Sequence, residues 1–463
     1  MSGTRLLGLE GAVRLSRNEA REIYSEHMNP GLASMLHLLD FDRRYIRALG
    51  ASVWDADGNE YLDCLGAYGA LNLGHNHPAL LTAIRRVEEM PNLLQATINP
   101  IAAAAAHDLA AITPQGLTRV FFGNSGAEAV EGALKLARAA TGRSKVLYTE
   151  NSFHGKTYGA LSVTGRAKYQ KPFAPLVPDM AAIPFNDLPA LEAALQVTPA
   201  AAFIVEPVQG EGGVRIPSPG YLAEAKLLCE SHGALLIVDE VQTGFGRTGA
   251  VFACEHDRVA PDIMCLAKSL GGGAVPVGAF VTRPDIWDKA YGGWDRSLLH
   301  TSTFGGNTRA MAAVLAAIEE TVNENLAEAA REKGQYLLDN LRRLAEGHPL
   351  VREVRGKGLL IGIEFDGSAG ALGRLAGAGA RQLTEEYVGS LVAGELLGRH
   401  RIITAYTLNN PNVIRLEPPL VITEEQVGRV IAAFGDVLSR VKGFGGLALA
   451  GAKAAVSGLL GRK

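Results

Sequence analysis

The stretch from Ala234 to Gly244 reads ALLIVDEVQTG, a continuous apolar run followed by two acidic residues and a turn of small residues. A short apolar run closed by polar residues is typical of a strand buried on both faces of a parallel sheet. Similar runs occur at Arg119–Phe122, Lys145–Tyr148, Ala201–Val205, Asp262–Leu266 and Val277–Val281. Gly126–Ala140 and Gly220–His232 have helical spacing between these runs. The pattern predicts an α/β fold with a mainly parallel sheet flanked by helices.

The two ends of the chain lack this alternation and are predicted to form a second, smaller domain. Extended segments occur at Val53-Trp54, Glu60–Leu62 and Val413–Leu416. A helix is predicted from about Glu319 to Glu346, followed by an extended run over Leu359–Phe365. We therefore divide the chain into residues 1–74 and 336–442 as the two halves of a small α+β domain, 75–335 as the large domain, and 443–463 as a tail.

Length, charge and hydropathy exclude several classes of protein. With 463 residues, the chain is long enough for two or three domains. Its 45 basic and 48 acidic residues give a net charge of −3, which does not indicate a nucleic-acid binder. No secretory signal is recognisable, and no apolar run approaches the roughly 18 residues of a membrane span. The sequence therefore predicts a cytoplasmic protein without a membrane partner.

Cysteine spacing and the composition of the tail have structural interpretations. The four cysteines have no CxxC spacing and lie in apolar stretches, at positions Cys64, Cys229, Cys254 and Cys265. This predicts buried free thiols in a reducing compartment, with neither a disulfide framework nor a metal site.

The tail is rich in glycine and alanine, and its polar face is too sparse for a membrane-surface anchor. We expect it to be a frayed or loosely docked helix.

A loop of small residues at positions 123–127 joins a predicted strand to a predicted helix. Such a loop presents backbone N–H groups and the positive end of the helix dipole, which suit a phosphate, and Ser125 adds a hydroxyl. The loop has neither a Walker lysine nor a GxGxxG motif, so a nucleotide phosphate is not favoured. A plain helix N-cap at Ser125 is the alternative interpretation.

Two charged residues follow predicted strands. Asp239 ends the apolar run quoted above, where a carboxylate is costly unless it meets a cationic partner. A structural salt bridge explains that position as well as a functional role does. Lys268 follows the apolar run Ile263–Ala267 and precedes three glycines. A lysine in an apolar setting has a lowered pKa and becomes an amine nucleophile, although most lysines are merely solvated.

Several motifs occur in the same order as in class-III aminotransferases, and the chain resembles that family over nearly its whole length. They are Asn124–Ala129, Phe153–Thr157, Glu206–Gly213, Asp239–Gly244, Lys268–Gly273, His300–Asn307 and Arg415–Leu420. The resemblance implies a fold type I enzyme that uses pyridoxal 5'-phosphate (PLP), with the active site at the interface of a homodimer or higher oligomer.

The resemblance also implies roles for individual residues. Lys268 would form a Schiff base with PLP and shuttle the proton, while Asp239 would keep the pyridinium nitrogen protonated. Gln242 would hydrogen-bond the phenolic oxygen of the ring, and Phe153 would stack on one ring face. The other implied cofactor contacts are Ser125, Gly126, Ala127, His154 and, from the neighbouring subunit, Thr303.

Four positions relate to the substrate through the same resemblance. Glu211 and Arg415 match a pair in which the glutamate neutralises the arginine while an amine reacts and releases it to bind the α-carboxylate of glutamate or 2-oxoglutarate. A permanent salt bridge is the alternative. Lys156 takes the place of an arginine found in ornithine-type relatives, and an ammonium lacks the bidentate fork of a guanidinium. Tyr68 aligns with an aromatic residue of the substrate channel.

Phe153–Lys156, Phe252–His256 and Leu408–Asn410 resemble the corresponding segments of putrescine aminotransferases. We therefore predict an ω-aminotransferase that moves a terminal amino group between a diamine or other aliphatic amine and 2-oxoglutarate by ping-pong transamination. The alternatives are an acetylornithine or ornithine aminotransferase, a PLP aminomutase or decarboxylase of the same fold, and a binding protein that has lost catalysis. The presence of both Lys268 and Asp239 argues against the last.

Overall fold

The computed structural model describes residues 6–94, 96–366 and 378–440, so the predicted tail at 443–463 lies outside the described residues. Its strands are β1 Tyr45–Leu49, β2 Ser52–Asp55, β3 Glu60–Asp63, β4 Arg119–Gly123, β5 Lys145–Thr149, β6 Met180–Ile183, β7 Ala200–Val205, β8 Leu235–Asp239, β9 Ile263–Leu266, β10 Gly278–Thr282, β11 Val351–Lys357, β12 Leu360–Phe365, β13 Ile402–Ile403, β14 Ala405–Tyr406 and β15 Val413–Leu416.

The helices are α1 Gly8–Ala12, α2 Arg17–His27, α3 Pro30–Leu38, α4 Gly66–Gly69, α5 Pro78–Arg86, α6 Pro100–Ile112, α7 Gly126–Thr141, α8 Tyr158–Ser162, α9 Ala167–Gln170, α10 Leu188–Val197, α11 Tyr221–Ser231, α12 Pro284–Tyr291, α13 Thr308–Asn323, α14 Leu326–Ala345, α15 Ala378–His400 and α16 Glu424–Arg440. Short 3₁₀ turns occur at Lys171–Phe173, Ala253–Asp257 and Lys268–Gly271.

The central sheet has seven strands in the order β4-β10-β9-β8-β7-β5-β6. Neighbours from β9 to β6 pair in parallel, whereas β10 is antiparallel to both β4 and β9. All six residues of β7 are buried because apolar clusters cover both faces of the sheet. The predicted α/β fold, with a mainly parallel sheet flanked by helices, is confirmed.

The six predicted apolar runs all form strands of this sheet, with ends that differ by one residue at most. The seventh strand, β6, was not predicted. It is an edge strand of sequence MAAI that is only partly buried, and its two central alanines have low β propensity. An edge strand of this kind lacks the continuous run of large apolar residues that marks the central strands.

Segments from both ends of the chain meet in the smaller sheets. One sheet has the order β1-β2-β3-β13 and the other β11-β12-β15-β14. Strand β13 pairs in parallel with β3, through Ile402 opposite Leu62, so the C-terminal part of the chain completes a sheet begun at the N-terminus. This is the smaller α+β unit that the fold class requires, while the exact domain limits stay a prediction.

The single helix predicted from about Glu319 to Glu346 is wrong in this form. Two helices, α13 and α14, meet at Glu324-Asn325. Asn325 has a left-handed backbone with φ of +49°, which ends one helix and starts the next, because asparagine tolerates this conformation better than most residues. Helix α14 packs on β11 and α16, so the predicted limit at residue 335 falls inside one continuous helix.

The predictions about cysteines and membrane spans can be compared directly with the structure. Cys64, Cys229, Cys254 and Cys265 are all free and buried, as predicted. Among the helices of the described residues, none combines the length and the apolar character that crossing a bilayer would require.

Candidate active site

A cavity of about 560 Å³ lies where the parallel strands have their carboxyl ends, the usual ligand position in such sheets. The loops after β4, β5, β7, β8 and β9 all contribute to its lining. The structure brings eight of the predicted site residues together in this lining: Ser125, Gly126, Ala127, Phe153, His154, Asp239, Gln242 and Lys268.

Asp239 is the last residue of β8, and its carboxylate is held on both oxygens. Oδ1 accepts the backbone N–H of Val241 at 3.0 Å, and Oδ2 lies 2.7 Å from Nδ1 of the buried His154. Burial lowers the pKa of His154, but the hydrogen bond and the negative charge of Asp239 outweigh this effect and raise it above its ordinary value. The result is a fixed carboxylate at the base of the cavity.

Lys268 begins the 3₁₀ turn that follows β9, and its backbone is left-handed, with φ of +48°. Strained conformations of non-glycine residues cluster at functional sites. Burial lowers the pKa of its ammonium below the ordinary range, although the carboxylates of Glu417 and Glu211 oppose this. A half-buried lysine with a lowered pKa has the property expected of an amine nucleophile, and that role stays a prediction.

The predicted phosphate loop caps the sixteen-residue helix α7. Ser125 is the N-cap, and its hydroxyl accepts the N–H of Glu128 at 3.2 Å. The first turn of a helix leaves backbone N–H groups without helical partners, and Gly126 and Ala127 line the cavity at that end. A Cβ at Gly126 would approach the Val241 side chain to 3.0 Å, so the loop is packed closely against the turn after β8.

The predicted substrate residues Tyr68, Glu211 and Arg415 form a second group. Arg415 is 0% exposed, and its Nη1 donates to Oε1 of Glu211 at 2.6 Å. Its guanidinium carbon lies 4.6 Å from the centre of the Tyr68 ring. The three residues do not line the cavity themselves, but Nε2 of the cavity residue Gln242 donates to the Tyr68 carbonyl oxygen at 3.5 Å, so this group lies beside it. Nε and Nη2 of Arg415 have no hydrogen-bond partner among the described residues.

Lys156 and Thr303 lie apart from these groups. The Nζ atom of Lys156 is 4.8 Å from the ring centre of Tyr169 and 5.9 Å from that of Phe153, so the ammonium lies over aromatic faces close to the cavity. Thr303 lines a separate cavity of about 340 Å³ together with Asn124, whose amide donates to the Ser302 hydroxyl at 3.0 Å. The contact of Thr303 with a neighbouring subunit stays a prediction.

Two buried acidic residues, Glu206 and Glu417, lie within the family motifs, although the sequence predicted no role for either. Glu206 directly follows β7, lines the cavity, and accepts the N–H of Phe153 at 2.8 Å. Burial raises the pKa of Glu206 to about 8. Glu417 directly follows β15, and its Oε2 accepts from Nε2 of Gln242 at 3.0 Å. A carboxylate just past an apolar strand was the signal that singled out Asp239, and it marks both of these residues as well.

The family model for class-III aminotransferases matches residues 39–438. The chain belongs to this family. A solved ornithine aminotransferase from Toxoplasma gondii ME49 is 34% identical, with a TM-score of 0.83, and the match covers 95% of this chain and 100% of that one. For acetylornithine aminotransferase from Elizabethkingia anophelis, the identity is 31%, the TM-score 0.75, and the coverage 92% and 100%. An amine transaminase from an uncultivated Pseudomonas species is 30% identical, with a TM-score of 0.77 and coverage of 86% and 95%.

Class-III aminotransferases are transaminases that use PLP, and a structure of the ornithine aminotransferase from Toxoplasma gondii shows partial occupancy of PLP at its active site. The residues lining the cavity fit this cofactor chemically. Lys268 supplies an amine with a lowered pKa, Asp239 a fixed carboxylate for a ring nitrogen, and the N-terminus of α7 a set of N–H groups for a phosphate.

Proposed function

We propose that this class-III aminotransferase moves a terminal amino group between a diamine or other aliphatic amine, of which putrescine is the type, and 2-oxoglutarate. The observation that carries the proposal is the buried ion pair of Glu211 and Arg415 beside Lys268. One site must accept an amine without a nearby carboxylate and then an acid that has one. A guanidinium whose charge is masked by a movable glutamate meets both demands.

The geometry of Arg415 supports binding of a carboxylate. Glu211 engages only Nη1, while Nε and Nη2 are buried and unpartnered among the described residues. Buried hydrogen-bond donors without acceptors are energetically costly. A carboxylate that binds there would accept from both and form two charge-assisted hydrogen bonds. The ring of Tyr68 over the guanidinium offers an apolar surface for a methylene chain.

The cofactor supplies an electron sink for the carbanion formed at the carbon that bears the amine. In the proposed reaction, Lys268 moves the proton at that carbon through its Nζ. Asp239, held by His154 and the Val241 N–H, would keep a proton on the ring nitrogen. Phe153 would cover one face of the cofactor ring, and Gln242 would hydrogen-bond its phenolic oxygen. We also propose a homodimer in which Thr303 reaches the site of the neighbouring subunit.

Arg415→Ala is expected to slow the half-reaction with glutamate or 2-oxoglutarate by about 10- to 150-fold, because the α-carboxylate loses a partner worth roughly 1.5–3 kcal/mol. The half-reaction with putrescine should change much less, since that substrate has no carboxylate. Rapid-mixing measurements of the cofactor spectrum separate the two half-reactions. Equal losses for both substrates would show that the ion pair is only structural.

Glu211→Ala is expected to impair the opposite half-reaction, the one with putrescine, more than the one with glutamate. Without the glutamate, the bare guanidinium of Arg415 repels the distal ammonium of a diamine, while glutamate still finds its partner. The same rapid-mixing experiment should show a slower putrescine half-reaction and a nearly unchanged glutamate half-reaction. Faster reaction with putrescine in this variant would contradict the proposed masking role.

The similarity to ornithine and acetylornithine aminotransferases favours a second candidate, an amino acid donor. Lys156 distinguishes the two, because its point charge lies over the Tyr169 and Phe153 rings and cannot form a bidentate clamp on a carboxylate. Lys156→Arg is expected to raise kcat/KM for ornithine relative to putrescine by about tenfold. Lys168→Arg, on the neighbouring helix α9, is the control and should leave the ratio unchanged. A wild-type preference for ornithine would favour the second candidate.

A further inference from the structure

Glu417 is a fully buried carboxylate that the proposed function does not use. It lies two residues past Arg415 and is 0% exposed. Oε2 accepts from Nε2 of Gln242 at 3.0 Å, whereas Oε1 has no hydrogen-bond partner among the described residues. A buried carboxylate oxygen without a partner is costly, which suggests that a cation or donor meets it during function.

The backbone around Glu417 is shaped to admit this carboxylate. Gly69 has φ of +84°, and a Cβ at that position would clash with Oε1 of Glu417. Only glycine adopts this conformation readily and leaves the necessary space. The absence of a side chain at Gly69 therefore leaves room for the Glu417 carboxylate next to Gln242.

Glu417 lies among the charges that surround Lys268. Five charged groups interact electrostatically with Lys268, and they lie at the ends of β7, β8 and β15 and in the loop after β7. They are Glu206, Asp239, Arg415, Glu417 and Glu211. Burial lowers the pKa of Lys268, and among the opposing charges that of Glu417 acts most strongly. Burial and the negative charge of Glu211 raise the pKa of Glu417, while the positive charges of Arg247, Arg415 and Lys268 oppose this and favour its ionised form. Glu417 forms no ion pair within 4 Å among the described residues.

We propose that Glu417 is a positioning residue, which fixes the amide of Gln242 through Oε2 and provides through Oε1 the counter-charge for the Lys268 nitrogen. It acts on the reaction through these two residues and need not touch the substrate. The inference rests on the part of the proposed function that assigns Lys268 and Gln242 to the cofactor, and it is independent of the diamine donor.

The test is a pH titration of the visible absorbance of the holoenzyme, which follows protonation of the lysine-bound cofactor. Glu417→Gln keeps the shape and an acceptor oxygen for Gln242 but removes the charge. The midpoint of the titration is expected to be lower in Glu417→Gln than in the wild type by about one pH unit or more. A neighbouring negative charge favours the protonated form, and this variant lacks that charge. Glu417→Ala should show the same shift and should also lose PLP faster on dilution, since the Gln242 amide is no longer held.

Glu240→Gln is the matched control. Its carboxylate is also fully buried, but it is held by the Thr243 hydroxyl and the Cys254 N–H and does not line the cavity. The midpoint of this variant should equal that of the wild type. An unchanged midpoint in Glu417→Gln would overturn the proposed counter-charge, and equal PLP loss in the two Glu417 variants would overturn the effect on Gln242. Failure of the proposed function gives a different result, a visible band that survives in Lys268→Ala.

Discussion

Lys268→Ala is expected to lack the visible absorbance of a lysine-bound cofactor and to lose transamination by roughly 10⁴-fold or more. Lys268 lines the cavity just after β9, where it is half-buried and burial lowers the pKa of its ammonium. In the proposed reaction, the Nζ atom of Lys268 both binds the cofactor and transfers the proton. Because alanine can do neither, the two effects should appear together, in the absorption spectrum and in the steady-state rate.

Lys333→Ala provides the control for this variant. Lys333 is also partly buried with a lowered pKa, but it lies on α14 and donates to the Leu420 carbonyl oxygen, away from the cavity. It should keep both the band and the rate. If Lys268→Ala kept the band and turned over at the wild-type rate, another residue would have to hold the cofactor.

Asp239→Asn is expected to retain PLP while its rate falls by several orders of magnitude. The amide can still accept the Val241 N–H, so the loop after β8 should keep its conformation. It carries no negative charge, however, and cannot hold a proton on the ring nitrogen, so the electron sink weakens. The measurement is the single-turnover rate with saturating amine at matched PLP occupancy.

The neighbouring Glu240→Gln is the control for Asp239→Asn, because it replaces another buried carboxyl group, outside the cavity, by an amide. Its rate should stay close to that of the wild type. Near-normal turnover in Asp239→Asn would mean that the carboxylate only stabilises the fold, through its contact with His154.

The central strands could be predicted from the sequence because they are buried on both faces. Their requirement for apolar residues is local, as in the run that becomes β8, and the charged residues that follow it stand out. Asp239 and Lys268 could therefore be found together, each at the carboxyl end of a strand. The ordered motifs of the family then connected these positions to cofactor chemistry.

The features that escaped prediction did so for three reasons: an unusual local backbone conformation, a weak apolar pattern, and contacts between distant segments. The break between α13 and α14 rests on one left-handed asparagine inside an otherwise helical pattern. The N-terminal helices α1 to α3 contain one buried residue, Ala33, so their apolar pattern is weak. Glu417 gains its significance only when Gln242 and Gly69, far away in the chain, pack against it.

The most direct measurement is a single-turnover spectral titration of the PLP form with five donors, namely putrescine, cadaverine, ornithine, acetylornithine and 4-aminobutyrate. The proposal of an ω-aminotransferase for diamines predicts that putrescine or cadaverine converts the cofactor fastest and at the lowest concentration, and that 2-oxoglutarate restores the original spectrum. Faster conversion by ornithine or acetylornithine, with little response to either diamine, would contradict it.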